Sequence, residues 1–235
     1  LLMESKWKYL VASALAGAYV GIGIILIMII GQAATTSGSE YTKIYMGLGF
    51  GIALSLVIMA GSELFTGNNM VMMVGSMDRK IKWSDTFQIW GISYIGNFIG
   101  SIIIGGLFVL TKIQGTATAE FILNTAATKM NGDFVSLLVK GILCNILVCL
   151  AVLCSIKLKS ESGKLIMIAW CLFAFIASGF EHSIANMTIF SMALFLEHPE
   201  TISIGGMFAN LIPVTIGNFI GGGLILGGSY YFVGK

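Results

Sequence analysis

Charge is what this sequence has least of. Only 10% of its 235 residues are charged and 57% are hydrophobic, far from the roughly one-quarter charged share of soluble domains. A water-soluble globule is thereby excluded. Lys and Arg total 13 against 11 Asp and Glu, a formal +2; that surplus is too small to suggest a nucleic-acid partner, so the basic residues are read as topology signals. Sequence for a separate soluble domain is also lacking, and one membrane domain over 1–235 accounts for the whole chain. Cysteines number four. Cys144, Cys149 and Cys154 are evenly spaced but point to different faces at 100° per residue, so with Cys171 they are expected to be packed thiols. No metal and no cofactor is expected.

What is present is hydrocarbon in helix-length runs. A bilayer core of roughly 30 Å takes about 20 apolar residues per helix, and six segments qualify, roughly 9–33, 43–76, 86–111, 134–156, 164–196 and 205–233. The second and fifth are too long and too polar at their centres to be simple spans. With the N-terminus inside, the inner loops collect Lys6, Lys8, Arg79, Lys80, Lys82, Lys157, Lys159, Lys164 and Lys235, against Lys43, Lys112, Lys129 and Lys140 outside. By the positive-inside rule both termini are expected to be cytoplasmic, in a multi-pass protein of the inner (plasma) membrane. The chain opens on Leu1 rather than Met, so further residues are expected before it.

The polar centres of the second and fifth segments resemble each other. Gly61-Ser-Glu-Leu-Phe-Thr-Gly-Asn68 aligns with Gly179-Phe-Glu-His-Ser-Ile-Ala-Asn186, and Ile95-Gly-Asn-Phe-Ile-Gly100 is identical to Ile216-Gly-Asn-Phe-Ile-Gly221. Three spans have been duplicated, about 9–112 and about 132–233. An odd number of spans per copy makes the copies enter the membrane from opposite sides, as a 3+3 inverted repeat. The fold class expected is all-α, polytopic, with six transmembrane helices, the second and fifth broken. Unpaired backbone at membrane depth is tolerated only in protein or around water. Glu63, Asn68, Glu181 and Asn186 are therefore expected in the broken-helix loops, supplying missing partners. Half-helices starting near Asn69 and Met187 then aim two positive ends at an anion.

His182 stands apart. An ionisable group inside a membrane is costly and by default functional, and an imidazole with unperturbed pKa ~6.5 can exchange a proton with a weak acid. Thr66 of the first copy faces it across the two-fold axis. The pairs Gly17/Gly21, Gly47/Gly51, Gly96/Gly100 and Gly217/Gly221 have the small-xxx-small spacing of close helix packing.

The stretches ELFTGN, CNILVCLAV, ASGFEHSIANM and GNFIGG resemble the formate/nitrite transporter family. That resemblance implies an aquaporin-like fold, a homopentamer in lipid, and in each protomer a pore for a small monovalent anion or its conjugate acid. The chain is similar to the hydrosulfide-channel branch, so hydrosulfide is the first expected substrate, then formate or nitrite. Carried over from the family, His182 is the central histidine and Thr66 the loop threonine. Asn145 and Asn218 face the pore, and Lys129, with Lys140 as second choice, is the basic residue of the outer vestibule. Phe50, Leu54, Leu64, Phe65, Val148 and Phe175 form the apolar constrictions. The lysine draws in the anion, His182 with Thr66 supplies or orients a proton, and the neutral acid crosses.

Other classes fit less well. A neutral-solute pore of aquaporin type lacks its Asn-Pro-Ala pairs here. An enzyme needs a second acid/base or metal set near His182, and the remaining histidine, His198, falls in an external loop. A proton-coupled secondary transporter of formate or nitrite is the serious alternative.

Overall fold

A computed structural model describes residues 5–234; Lys235, counted above among the inner lysines, lies outside them. Every regular element among the described residues is helical. The helices are α1 (Lys6–Thr36), α2 (Thr42–Met59), α3 (Phe65–Met77), α4 (Trp83–Val109), α5 (Ala117–Met130), α6 (Phe134–Lys157), α7 (Glu161–Ala177), α8 (Ser183–Phe195) and α9 (Ile204–Phe219). The last continues through a π-helical stretch, Ile220–Gly227, into α10 (Gly228–Val233). Five are long and apolar enough to cross a membrane: α1, α2, α4, α6 and the run Ile204–Val233.

The second and fifth apolar segments are each divided, into α2/α3 and α7/α8, by the same local device. Gly61 at φ 72° and Gly179 at φ 69° take the left-handed conformation that side chains resist. The next amides reach back, Ser62 N–H to Val57 O and Phe180 N–H to Phe175 O, both at 3.0 Å. This is the Schellman closure of a helix end. The chain turns helical again after three residues, the last of them, Leu64 or His182, in extended conformation. The new helices begin at Phe65 and Ser183, four residues before the positions expected from sequence. Asn68 and Asn186 consequently lie in first helical turns and not in the loops; Glu63 and Glu181 are in the breaks.

The packing partners explain the glycines. α1 lies along α4 and α6 along α9. A methyl group at Gly100 would run into the Ala14 carbonyl, and one at Gly217 into the Leu138 carbonyl, so backbone sits on backbone with no room for a side chain. The short α5 went unanticipated. It packs against α1, α8 and α9, burying Ala119, Ile122, Ala126 and Met130, while its opposite stripe faces a cavity.

Candidate functional site

Five helices carry their own caps, while α2 and α4 start with no side-chain cap. α1, α5, α6, α7 and α9 begin after Ser5, Thr116, Asp133, Ser160 and Ser203, whose side chains each accept a backbone N–H. The two that start inside the protein each take a bond from an asparagine on another helix. Asn97 Oδ1 accepts the Phe65 N–H at 2.9 Å, and its Nδ2 donates to Ser13 O and Glu63 O at 2.7 and 2.9 Å. Asn218 repeats the pattern: Oδ1 takes the Ser183 N–H at 2.9 Å, and Nδ2 donates to Gly141 O and Glu181 O at 2.8 and 2.9 Å. A fully buried asparagine thus satisfies the backbone of each break.

This corrects the placement of two residues. Asn218 lines neither cavity described below, and all its side-chain bonds go to backbone. Asn145, also fully buried, donates to Thr66 O at 3.1 Å and Asn218 O at 2.7 Å, tying α6 to the first break. Cys149, one turn on, donates its thiol to the same Thr66 carbonyl at 3.3 Å. Among the described residues no group of cysteine, histidine and carboxylate side chains is arranged to hold a metal.

His182 caps α8 with its own ring. Nδ1 accepts the Ala185 N–H at 3.1 Å, so in the neutral imidazole the proton sits on Nε2. Nε2 lies 2.9 Å from Thr66 Oγ1 and donates to it, which leaves the hydroxyl hydrogen free for another acceptor. Thr66 is itself in the first turn of α3, fully buried. Phe175 stacks on the imidazole, ring centroids 6.0 Å apart at 18°, and Phe50 meets Phe175 edge-on at 5.5 Å.

Two cavities meet at this pair of rings. The smaller holds about 10 Å³, space for one water-sized body, and is lined by Val20, Phe50, Ala53, Leu54, Leu64, Val148, Leu172, Phe175 and His182. Five of the six apolar residues expected at a constriction are in that wall. Phe65 is not: its ring packs edge-on against Tyr94, 5.0 Å between centroids. Val20, Ala53 and Leu172 had escaped notice. The signal was in the repeat, since Val20 and Val148, Leu54 and Leu172, and Leu64 and His182 occupy matching places in the two halves. Both helix starts aim at the constriction, one capped by hydrocarbon and the other by imidazole.

The larger cavity, about 490 Å³, opens on the other side of His182 and Phe175. Its wall includes Lys43, Lys129 and Lys140, with Phe121, Asn124, Thr125 and Thr128 from one face of α5. Lys129 is not a free cation there. Its Nζ sits 2.7 and 2.8 Å from the two Glu181 oxygens, and Asn186 donates to the same carboxylate at 2.6 Å. Asn210 completes the group, accepting from Asn186 at 2.9 Å and donating to Lys129 O at 2.8 Å. The first break has a different set, with Tyr9 and Asn68 on Glu63.

Comparison with known proteins agrees with this architecture. The family profile of formate/nitrite transporters matches residues 2–232. The nitrite transporter NirC of Escherichia coli (strain K12) is 41% identical over 223 residues, covering 94% of this chain and 82% of its own. Among solved structures, an FNT family ion channel superposes with TM-score 0.92 at 38% identity, over 99% of this chain and 92% of that one. A pentameric formate channel with formate bound gives 0.85 at 28%, over 98% of each chain.

Proposed function

The chain belongs to the formate/nitrite transporter family, and from that premise we propose that it is a membrane pore for small monovalent anions moving as their conjugate weak acids. It is a transport protein and not an enzyme. Nitrite and formate are the first substrates, since NirC is a nitrite transporter and the second structural neighbour is a formate channel. Hydrosulfide, the substrate of the branch this sequence resembles, is the finer reading, being another small weak-acid anion. The assembly proposed is a homopentamer in lipid at the inner membrane, cytoplasmic at both termini. Each protomer crosses the membrane six times as two inverted copies of three spans, with its own pore.

The observation that carries this reading is the Thr66–His182 hydrogen bond at the junction of a lysine-bearing vestibule and an apolar constriction. Taking a charged group to the bilayer centre costs about 2.5–3.5 kcal/mol even on the mildest scale. A neutral acid avoids most of that cost. The vestibule collects the anion, and the Thr66 hydroxyl, held by His182 Nε2, orients it at the point where it must carry a proton. The constriction admits nothing larger than water as it stands, so passage requires side-chain movement. That observation favours a second reading, a proton-coupled carrier.

Purified protein in liposomes tests both. Uptake of nitrite, formate, hydrosulfide, lactate and chloride is compared at fixed pH with internal pH recorded. Fast nitrite or formate flux with negligible chloride flux is expected. Strong formate flux beside poor hydrosulfide flux removes the hydrosulfide assignment; flux that saturates at low substrate and requires a proton gradient favours the carrier.

A further inference from the structure

The two chain breaks are built alike but charged differently. Glu181 is buried and neutralised by Lys129. Its counterpart Glu63 meets no cation among the described residues. Its Oε2 accepts from the Tyr9 phenol at 3.0 Å and from Asn68 Nδ2 at 3.1 Å, and Asn68 Nδ2 also lies 2.8 Å from the Tyr9 oxygen. Every group hydrogen-bonded to it is uncharged: Tyr9 and the Ala12 carbonyl from α1, Asn68 from α3 and the Asn97 amide from α4, which holds the Glu63 carbonyl at 2.9 Å. Lys6 and Lys8, at the start of α1, are exposed and in no ion pair with it. Glu63 is only half-buried, and the preceding Ala60 and Gly61 are exposed, so this break lies at the surface of the protomer. Glu63 directly precedes Leu64, which lines the constriction.

We propose that Glu63, oriented by Tyr9 and Asn68, is a proton-exchange site on the face of the constriction opposite Lys129, and that its charge excludes bare anions there. The inference rests on the weak-acid reading above. A neutral acid emerging past Leu64 gives its proton to the carboxylate, leaving the anion and a carboxylic acid, which then passes the proton to water. In the reverse direction the carboxylic acid protonates an arriving anion. An unprotonated Glu63 repels any anion that cannot accept a proton, and with no nearby cation the local field is uncancelled. At the other mouth Lys129 and Glu181 cancel each other, and the pair leaves no net charge to exclude an anion.

The test is Glu63→Gln in proteoliposomes, with nitrite uptake and accompanying internal acidification measured beside chloride flux. Glutamine keeps the shape and can still accept from Tyr9 and Asn68, so the break retains its bonds. Nitrite and proton uptake should fall several-fold while chloride flux rises, and Glu63→Asp should return both toward wild type. A purely structural carboxylate predicts that both fluxes fall together, or that neither moves, and either result overturns the proposal. So does a fall in nitrite flux without a gain in chloride. Should the wild-type protein move neither nitrite nor formate, the weak-acid reading itself fails first. Equal yield and equal oligomer size of the variant establish that folding is intact; where they fall, Tyr9→Phe removes the orienting bond and keeps the charge, so nitrite and proton uptake should fall while chloride flux stays at the wild-type level, and unchanged nitrite uptake or a rise in chloride overturns the proposal.

Discussion

Thr66 and His182, 116 positions apart in the chain, meet at 2.9 Å because each lies at the start of a helix that begins inside the protein. With Nδ1 occupied by the Ala185 amide, the imidazole has one orientation and one neutral tautomer. Thr66→Val removes the hydroxyl and keeps the shape. A net hydrogen bond of about 1 kcal/mol corresponds to a roughly five-fold loss of nitrite or formate flux. In a double-mutant cycle with His182→Asn the losses should not add, because both residues act on one substrate. Additive losses would separate the two roles.

His182 has two functions that different substitutions divide. Asparagine is among the best helix caps, so His182→Asn should keep thermal stability while losing flux. His182→Leu copies the cap of the other break, Leu64, but nothing replaces the bond to Ala185. That variant should lose a further 0.5–2 kcal/mol, roughly, of stability, seen as a lower Tm in detergent. Equal Tm values for the two variants would remove the capping role.

Asn97 and Asn218 each accept one backbone N–H and donate to two carbonyls. Replacing either by leucine strands two backbone groups of the break, the Phe65 N–H and Glu63 carbonyl or the Ser183 N–H and Glu181 carbonyl, at about 1–3 kcal/mol apiece, while the third partner, Ser13 O in α1 or Gly141 O in α6, keeps its helical bond. Asn97→Leu and Asn218→Leu should both abolish assembled protein, measured as the oligomer fraction on size exclusion. A well-assembled Asn218→Leu variant with altered flux would instead return Asn218 to the pore wall.

The repeat made much of this legible. Gly61 and Gly179 marked both breaks, because a left-handed residue ending a helix is a local property that glycine advertises. His182 was legible as an ionisable group at membrane depth, and Thr66 as a hydroxyl in the opposing break, although the residues aligned with them, Leu64 and Ile184, are apolar. The asparagines were harder, since an Asn in an apolar helix reads alike whether it faces a pore or a carbonyl. The duplicate Asn97 held the missing hint, as a scaffold residue is needed at both breaks and a substrate ligand is not. Neither α5 nor the Lys129–Glu181 pair gave a usable signal. At 14 residues α5 is too short to be read as a span, and Lys129 and Glu181 are brought together only by tertiary packing.

The glycine seams predict a sharp positional contrast. At Gly100 and Gly217 an added methyl meets a neighbouring backbone carbonyl that cannot swing aside, while at Gly91, on the exposed side of α4, nothing lies within 4 Å. Gly100→Ala and Gly217→Ala should each destabilise by about 1–3 kcal/mol or more, and Gly91→Ala should not. Thermal unfolding of the three purified variants decides it; equal Tm values would mean the helices can spread.

Lys129 was expected to draw the anion, yet Glu181 grips its ammonium with both oxygens, the two side chains being 20% and 7% exposed. A pair this close presents little net charge to the vestibule. Lys43 and Lys140 line the same cavity, are exposed and have no ion pair among the described residues, so the attraction should come from them. Screening separates the cases, because exposed charges act over a Debye length of about 10 Å at 0.1 M salt, against about 30 Å at 0.01 M. The double variant Lys43→Gln/Lys140→Gln should slow nitrite uptake at low ionic strength and little at high. Lys129→Met should behave otherwise. It strands a buried carboxylate at a cost of about 3–5 kcal/mol, so stability falls at every salt concentration, and adding Glu181→Gln should restore part of it. If Lys129→Met alone reproduced the salt-dependent loss at full stability, Lys129 would be the anion-collecting residue after all.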